Sequence, residues 1–194
     1  MRPDLADHFP PRTGRTHEVN GPSSLSFSLA LAQARGGTTL WAREDWAPEQ
    51  LNPVGISAYL DPAKLLIAQG KDQLEVLAVS EEALRSGAVT LVVMELSKPL
   101  DLTAGRRLQL AAEAGKSTGL CLIQDGMGSN AAETRWHCAP VFSESGDSTH
   151  QSWDLKKNKS GTLSKWEVRW DAETRRLRLV PDPAQRQGLA RAQH

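Results

Sequence analysis

The chain has 194 residues, enough for one domain to bury a core of its own. Lys+Arg and Asp+Glu each total 23, so the formal net charge is zero, which argues against a protein built to coat nucleic acid and leaves room only for a local basic face. No apolar run reaches the length of a membrane span or follows a charged leader, and Cys121 and Cys138 form no CxxC pair, so a soluble, reducing, cytoplasmic setting is expected.

Residues 1–16 are rich in Pro, Arg, Asp and Gly and read as a flexible arm outside the core. Glu18-Val19-Asn20-Gly21-Pro22-Ser23-Ser24 then leads into an apolar helix expected from about Ser23 to Ala34. An extended run, a Gly-Pro turn and a helix form the layout of a phosphate-binding loop. A working GxxxxGK[ST] loop needs glycine and lysine at its end. Here Ser26, Phe27 and Ser28 hold the matching places. Phenylalanine carries no charge to a phosphate, and the Cβ of serine crowds the backbone approach that glycine permits. The free N–H groups at Ser23 and Ser24 suggest an anion site. The competing reading makes the two serines helix caps, with Phe27 packed over the vacated site.

The helix should stop at Gly36-Gly37 and a strand follow at Thr38–Ala42. Asn52-Pro53 and Asp61-Pro62 frame a short helix around Gly55–Leu60, and Leu65–Gln69 reads as a buried strand. Asp72 and Glu75 stand at capping-box spacing before a helix that runs to Arg85, with Gly87 as its C′ residue. Val89–Met94 is the most strongly β-like run. A helix at Thr103–Ala114 places Ala104, Leu108 and Ala111 on one face, and a strand at Gly119–Ile123 holds Cys121 as a buried free thiol. Apolar strands separated by helices imply a mostly parallel sheet covered on both faces. After Gln124 helices cease. Arg135–Phe142, Trp153–Lys157, Lys165–Asp171 and Leu177–Val180 read as strands, Trp166, Val168 and Trp170 alternating with Glu167 and Arg169. They suggest an antiparallel extension of the α/β sheet, the domain spanning 17–180 and a loose tail 181–194.

Several residues invite function. From Asp154 to Arg178 there are eight basic and four acidic residues, including Lys156, Lys157 and Lys159: a footprint for DNA or an acidic partner, or lysines guarding strand edges. Arg106 and Arg107 lie on the polar side of their helix, as interface anchors or as solubilising charge. Trp41 and Trp46 bracket a strand end, where α/β folds bind ligands. Trp46 is either an exposed recognition residue or, the reading preferred here, an anchor of core or loop. His137 and Cys138 are strand neighbours that point to opposite faces, and no third ligand lies at zinc-like spacing, so no metal site is assigned. Ser145, Asp147 and His150 share one polar loop without a GxSxG elbow, so no hydrolase chemistry is assigned.

Glu18–Pro22, Leu60–Leu66 and Ala83–Val89 with Leu91-Val92-Val93 together resemble the opening strand and turn, a core strand and the Walker B approach of the RecA recombinase superfamily. Lys157-Asn158-Lys159 resembles a segment that RecA places at its subunit interface. Within that superfamily Leu102–Ala114, with its Arg-Arg-Leu-x-Leu-Ala-Ala-Glu-Ala pattern, Thr134-Arg135-Trp136 and Asn158-Lys159-Ser160-Gly161 are similar to the ImuA family, SulA-related accessory proteins of bacterial SOS mutagenesis. The resemblance implies a RecA-like fold, location at the nucleoid when engaged, and partners in RecA, an ImuB-type adaptor and a DnaE-type error-prone polymerase. The Walker B aspartate matches Glu95, which is acidic but has no phosphates to bridge to a metal. Glu44-Asp45 lies where RecA proteins keep a catalytic glutamate, and no such role is assigned without a bound triphosphate. The short stretch before Gly21 is expected to lack the polymerisation helix of recombinases. No cofactor and no catalysis are expected. A SulA-like division inhibitor that binds FtsZ and a weak nucleotide-binding enzyme are the alternatives.

Overall fold

A computed structural model describes residues 3–48, 51–142 and 147–181. Their strands are β1 (Thr16–Asn20), β2 (Thr39–Glu44), β3 (Leu65–Gly70), β4 (Leu91–Glu95), β5 (Thr118–Leu122), β6 (Thr134–Pro140), β7 (His150–Asn158), β8 (Ser164–Asp171) and β9 (Arg176–Leu179). They form one sheet in the order β3-β2-β4-β5-β1-β6-β7-β8-β9. Pairing is parallel from β3 through β6 and antiparallel from β6 to β9. The expected α/β architecture with an antiparallel extension is therefore present, and the extension begins one strand later than the change of sequence grammar suggests. β6 lies parallel to β1, because helices cease before the sheet changes direction.

Helices α1 (Ser24–Arg35), α2 (Pro53–Ser57), α3 (Gln73–Ser86) and α4 (Leu102–Gly115) flank the sheet. The period-2 alternation of the central strands sends side chains to two separate cores. Leu91, Val93 and Leu120 join Phe27 and Leu31 of α1 on one face, whereas Val92, Met94 and Cys121 join Leu84 of α3 and Leu108 of α4 on the other. α1 is apolar almost all round, with Phe27–Ala32 buried without a break, as befits a helix covered on every side. The Asp72 carboxylate caps α3 by accepting from Glu75 N–H at 3.0 Å, and Gly87 follows in the left-handed conformation.

Two expectations change. Residues 3–16 are not outside the core. Leu5 is buried, Phe9 packs 4.9 Å from the Trp153 ring, and the Pro3 carbonyl accepts from Trp166 Nε1 at 2.9 Å. This segment closes the outer side of α1, whose apolar surface needs a lid that the sheet alone does not supply. β3 is not buried either. It is the sheet edge, with Leu66 and Ile67 about half exposed. The tail from residue 182 onwards and Ser145 lie outside the described residues. No helix among the described residues is long and apolar enough to cross a membrane.

The wide α1-side core takes five of the six tryptophans, or their flanks, into the sheet, and each buried indole N–H finds an acceptor. Trp136 donates to Thr134 Oγ1 at 3.0 Å, Trp153 to Gln151 Oε1 at 3.0 Å, Trp170 to the Ala58 carbonyl at 2.9 Å and Trp41 to Glu95 Oε1 at 2.7 Å. His17 is drawn into this network. It is fully buried, with Nδ1 2.7 Å from Thr134 Oγ1 and Nε2 2.8 Å from the Arg12 carbonyl. A carbonyl only accepts, so Nε2 carries the proton and Nδ1 accepts from the threonine. Burial, helped by the charges of Arg35 and Arg15, lowers its pKa to about 4 from an ordinary 6.5. The sign follows: above pH 6.5 the group contributes nothing to pH dependence, and stability falls as pH drops from there toward 4. The expected loss is about 3 kcal/mol by pH 4, read as a falling urea midpoint that His17→Gln flattens.

Candidate functional site

β1 lies in the middle of the parallel strands, so the Gly21 turn sits at their C-terminal ends, where open α/β sheets take ligands. Gly21 has φ 91°, and a Cβ there would stand 2.4 Å from the Cys138 carbonyl oxygen, so only glycine lets the turn lie against β6. The turn is closed by backbone bonds. Ser23 N–H donates to the Cys138 carbonyl and Ser24 N–H to the Gly21 carbonyl, each at 3.0 Å. α1 begins at once, with Phe27 N–H donating to the Ser23 carbonyl at 3.0 Å. Neither reading of the serines holds in full. Their N–H groups are taken by carbonyls rather than offered to an anion, and the Ser23 side chain makes no cap hydrogen bond.

The three residues that replace the phosphate-binding signature have become packing. Phe27 is fully buried, its ring centroid 4.7 Å from Trp153, 5.4 Å from Trp136 and 5.5 Å from Phe9. It does not lie over a vacated site, as the sequence suggested, because the helix turns it into the α1-side core. Ser26 faces the gap beside Ala30, Trp153 and Trp170, and the Ser28 hydroxyl donates back to the Ser24 carbonyl at 2.7 Å.

Beside the turn an open cleft of about 600 Å³ runs along the ends of β2, β4 and β5, lined by Ser24, Glu44, Trp46, Glu95, Ser97 and Gln124 among others. Glu95, the Walker B-like acid, is occupied. Its Oε1 accepts from Trp41 Nε1, and Oε2 lies 3.2 Å from Nη2 of buried Arg43. That contact is an ion pair without hydrogen-bond alignment, since Nη2 of Arg43 has no hydrogen-bond partner. Glu44 is only 7% exposed, and among the described residues its carboxylate has no hydrogen-bond or ion-pair partner. Trp46 is 62% exposed at the same cleft, so it is the exposed residue and not the anchor preferred from the sequence. Trp41 is the anchor. Among the described lining residues there is no lysine or arginine.

The basic strands look different in three dimensions. Lys157 Nζ donates to the carbonyls of Ser129 and Asn130 at 3.0 and 2.9 Å, and Lys159 Nζ to that of Ala131 at 2.8 Å. Burial, then the nearby Arg135 charge, holds the Lys157 pKa below its ordinary value. Lys156 pairs with Asp154 at 2.6 Å, Arg169 with Asp147 at 3.1 Å, and Arg178 with Asp171. Lys165, Arg175 and Arg176 make no ion pair among the described residues. Nothing in the sequence hints at why two of these lysines are bound to a loop: a buried anchor lies beneath residues 125–133. Glu18, 1% exposed, accepts from Ser129 N–H and from Arg135 Nε, both at 2.7 Å. The Arg135 guanidinium lies flat on Gly128, where a Cβ would come within 1.9 Å of its Cζ.

Arg107 reaches across to Glu81 of α3 at 2.8 Å, while Arg106 is exposed and without an ion pair among the described residues. His137 bonds Asn20 Oδ1 at 3.3 Å on one face of β6, and Cys138 is buried on the other, so the two point apart as expected. Asp147 accepts from Thr149, and His150 lies 3.0 Å from Glu167, so these groups are spent on separate partners.

This architecture is that of the RecA class. The solved structure of the RadB recombinase superposes with a TM-score of 0.66, covering 88% of this chain and 92% of that one at 11% identity, which establishes the fold alone. The chain is similar to the protein ImuA from two strains of Caulobacter vibrioides, 31% identical over 153 residues, which is 66% of this chain. The chain spans 61% of the length of these relatives. No family model matches it.

Proposed function

We propose that the chain is a non-catalytic RecA-like accessory protein of SOS translesion mutagenesis. In this reading it works through contacts with RecA and with an ImuB-type adaptor that serves a DnaE-type error-prone polymerase. The observation that carries the non-catalytic part is the cleft at the strand ends. Among the described residues a triphosphate placed there would meet the carboxylate of Glu44 and no lysine, with Phe27 locked in the core where a phosphate-binding lysine should be. Phosphoryl transfer depends on positioned positive charge, and this arrangement opposes it. The similarity to ImuA supports the mutagenic role. Three of the eight basic residues of the C-terminal strands are ion-paired and two more are held on the 125–133 loop, which favours protein contacts over DNA as the working mode. A RecA-shaped subunit that does not hydrolyse ATP is suited to dock on a recombinase filament and cap or remodel it.

Isothermal titration with Mg-ATP is expected to give no heat of binding at physiological nucleotide concentration, and sedimentation with purified RecA filaments is expected to carry the chain into the pellet. Micromolar nucleotide binding with turnover would overturn the non-catalytic reading. Failure to cosediment with RecA, or to bind the adaptor, would remove the accessory role.

A further inference from the structure

The Glu44–Trp46 end of the cleft holds an arrangement that a dead nucleotide site does not require. Glu44 is 7% exposed and lines the cleft with no partner among the described residues. Because the rest of the residue is buried, its carboxylate meets water only at the cleft, and a cation that comes to meet it there gains a counter-charge with little water around it. Glu95 cannot be what needs that cation, because Arg43 already neutralises it at 3.2 Å. Two residues on from Glu44, Trp46 is 62% exposed and lines the same cleft. An indole and a carboxylate lining one cleft suit a guanidinium or an ammonium with its aliphatic stem. The turn that carries both residues is fixed, since Asp45 N–H donates to the Gly70 carbonyl at 2.8 Å and Ala47 N–H to the Glu44 carbonyl at 3.2 Å.

We propose that this cleft receives a lysine or arginine side chain presented by a protein partner, with Glu44 as counter-charge and Trp46 as its wall. The inference deepens the accessory reading above and rests on it. The cleft, at about 600 Å³, is larger than one side chain, so the cation arrives on a loop that fills the remainder. An anion is excluded by the charge of Glu44. A hard divalent cation needs several oxygen ligands, and the described residues bring no group of three His, Cys, Asp or Glu together.

The test uses the full chain, isotopically labelled, titrated with the blocked tripeptide Gly-Arg-Gly and with its citrulline counterpart, which keeps the shape and drops the charge. The arginine peptide is expected to shift amide signals of Glu44–Ala47 and Glu95–Ser97 with a dissociation constant of about 1 mM, as a single paired cation allows. The citrulline peptide is expected to leave them in place. Glu44→Gln should weaken binding about tenfold while melting no lower than the parent chain, and Trp46→Ala should weaken it while keeping the fold. Equal shifts from the citrulline peptide, full affinity in Glu44→Gln, or displacement of the peptide by magnesium chloride alone would overturn the proposal. If the peptide fails and Mg-ATP also fails to bind, the receptor idea falls and the non-catalytic reading stands. If Mg-ATP binds and is turned over at this cleft, the reading beneath it falls.

Discussion

Phe27→Lys, alone or with Ser26→Gly to rewrite the missing signature, should cost the protein about 4 kcal/mol or more and create no Mg-ATP site. The ring is fully buried against Phe9, Trp136 and Trp153. Removing a buried phenylalanine ring costs about 3–5 kcal/mol by itself. The ammonium that replaces it would have no counter-charge among those three rings, and pulling it out to water would unwind the first turn of α1. Urea unfolding followed by circular dichroism measures the loss, and titration with Mg-ATP measures the gain of function. Phe27→Leu, which keeps most of the volume, should cost about 1.5 kcal/mol. A lysine variant that unfolds at the parental midpoint and binds nucleotide would show that the turn can reopen, and that its closure by Ser23 and Ser24 is not what excludes phosphate.

Lys157→Glu is expected to cost about 3 kcal/mol, whereas Lys156→Glu, two hydrogen bonds poorer and on the solvent side, should change stability by about 0.5 kcal/mol or less. The difference is in what each ammonium touches. Lys157 donates to two carbonyls of the 125–133 loop, and its reversal would set a carboxylate against those oxygens and near the buried Glu18 carboxylate. Among the described residues Lys156 meets only Asp154, and it is more than half exposed. Amide exchange in the 125–133 loop should accelerate in Lys157→Glu and stay unchanged in Lys156→Glu. Equal stabilities for the two variants would mean that Glu18 and Arg135 hold the loop unaided. A combined charge reversal at Lys156, Lys157 and Lys159 would therefore report loop loss before it reported any partner, so binding studies of this face should start from Lys156 alone.

By itself the sequence determined the order of strands and helices, the parallel sheet with its antiparallel extension, and the absence of glycine and lysine where a phosphate-binding loop needs them. These are local properties. Period-2 and period-3.6 patterns report which side of an element is apolar, capping residues such as Asp72 and Gly87 mark where a helix ends, and a phenylalanine at position 27 lacks a charge in any fold. Only the tertiary structure decided what lies across from each side chain. Leu65–Gly70 is as apolar as a central strand, yet it is the edge, because strand order is set by pairing and not by composition. The N-terminal residues belong to the core because Trp166 finds its acceptor at Pro3, 163 residues away. Lys157 and Lys159 read as surface charge until Glu18 and Arg135, 117 residues apart, bring the loop beneath them. Glu44 carries the same carboxylate as every other glutamate in the chain. Its place at the end of β2, with Arg43 already taken by Glu95, is what leaves it on the cleft without a partner among the described residues.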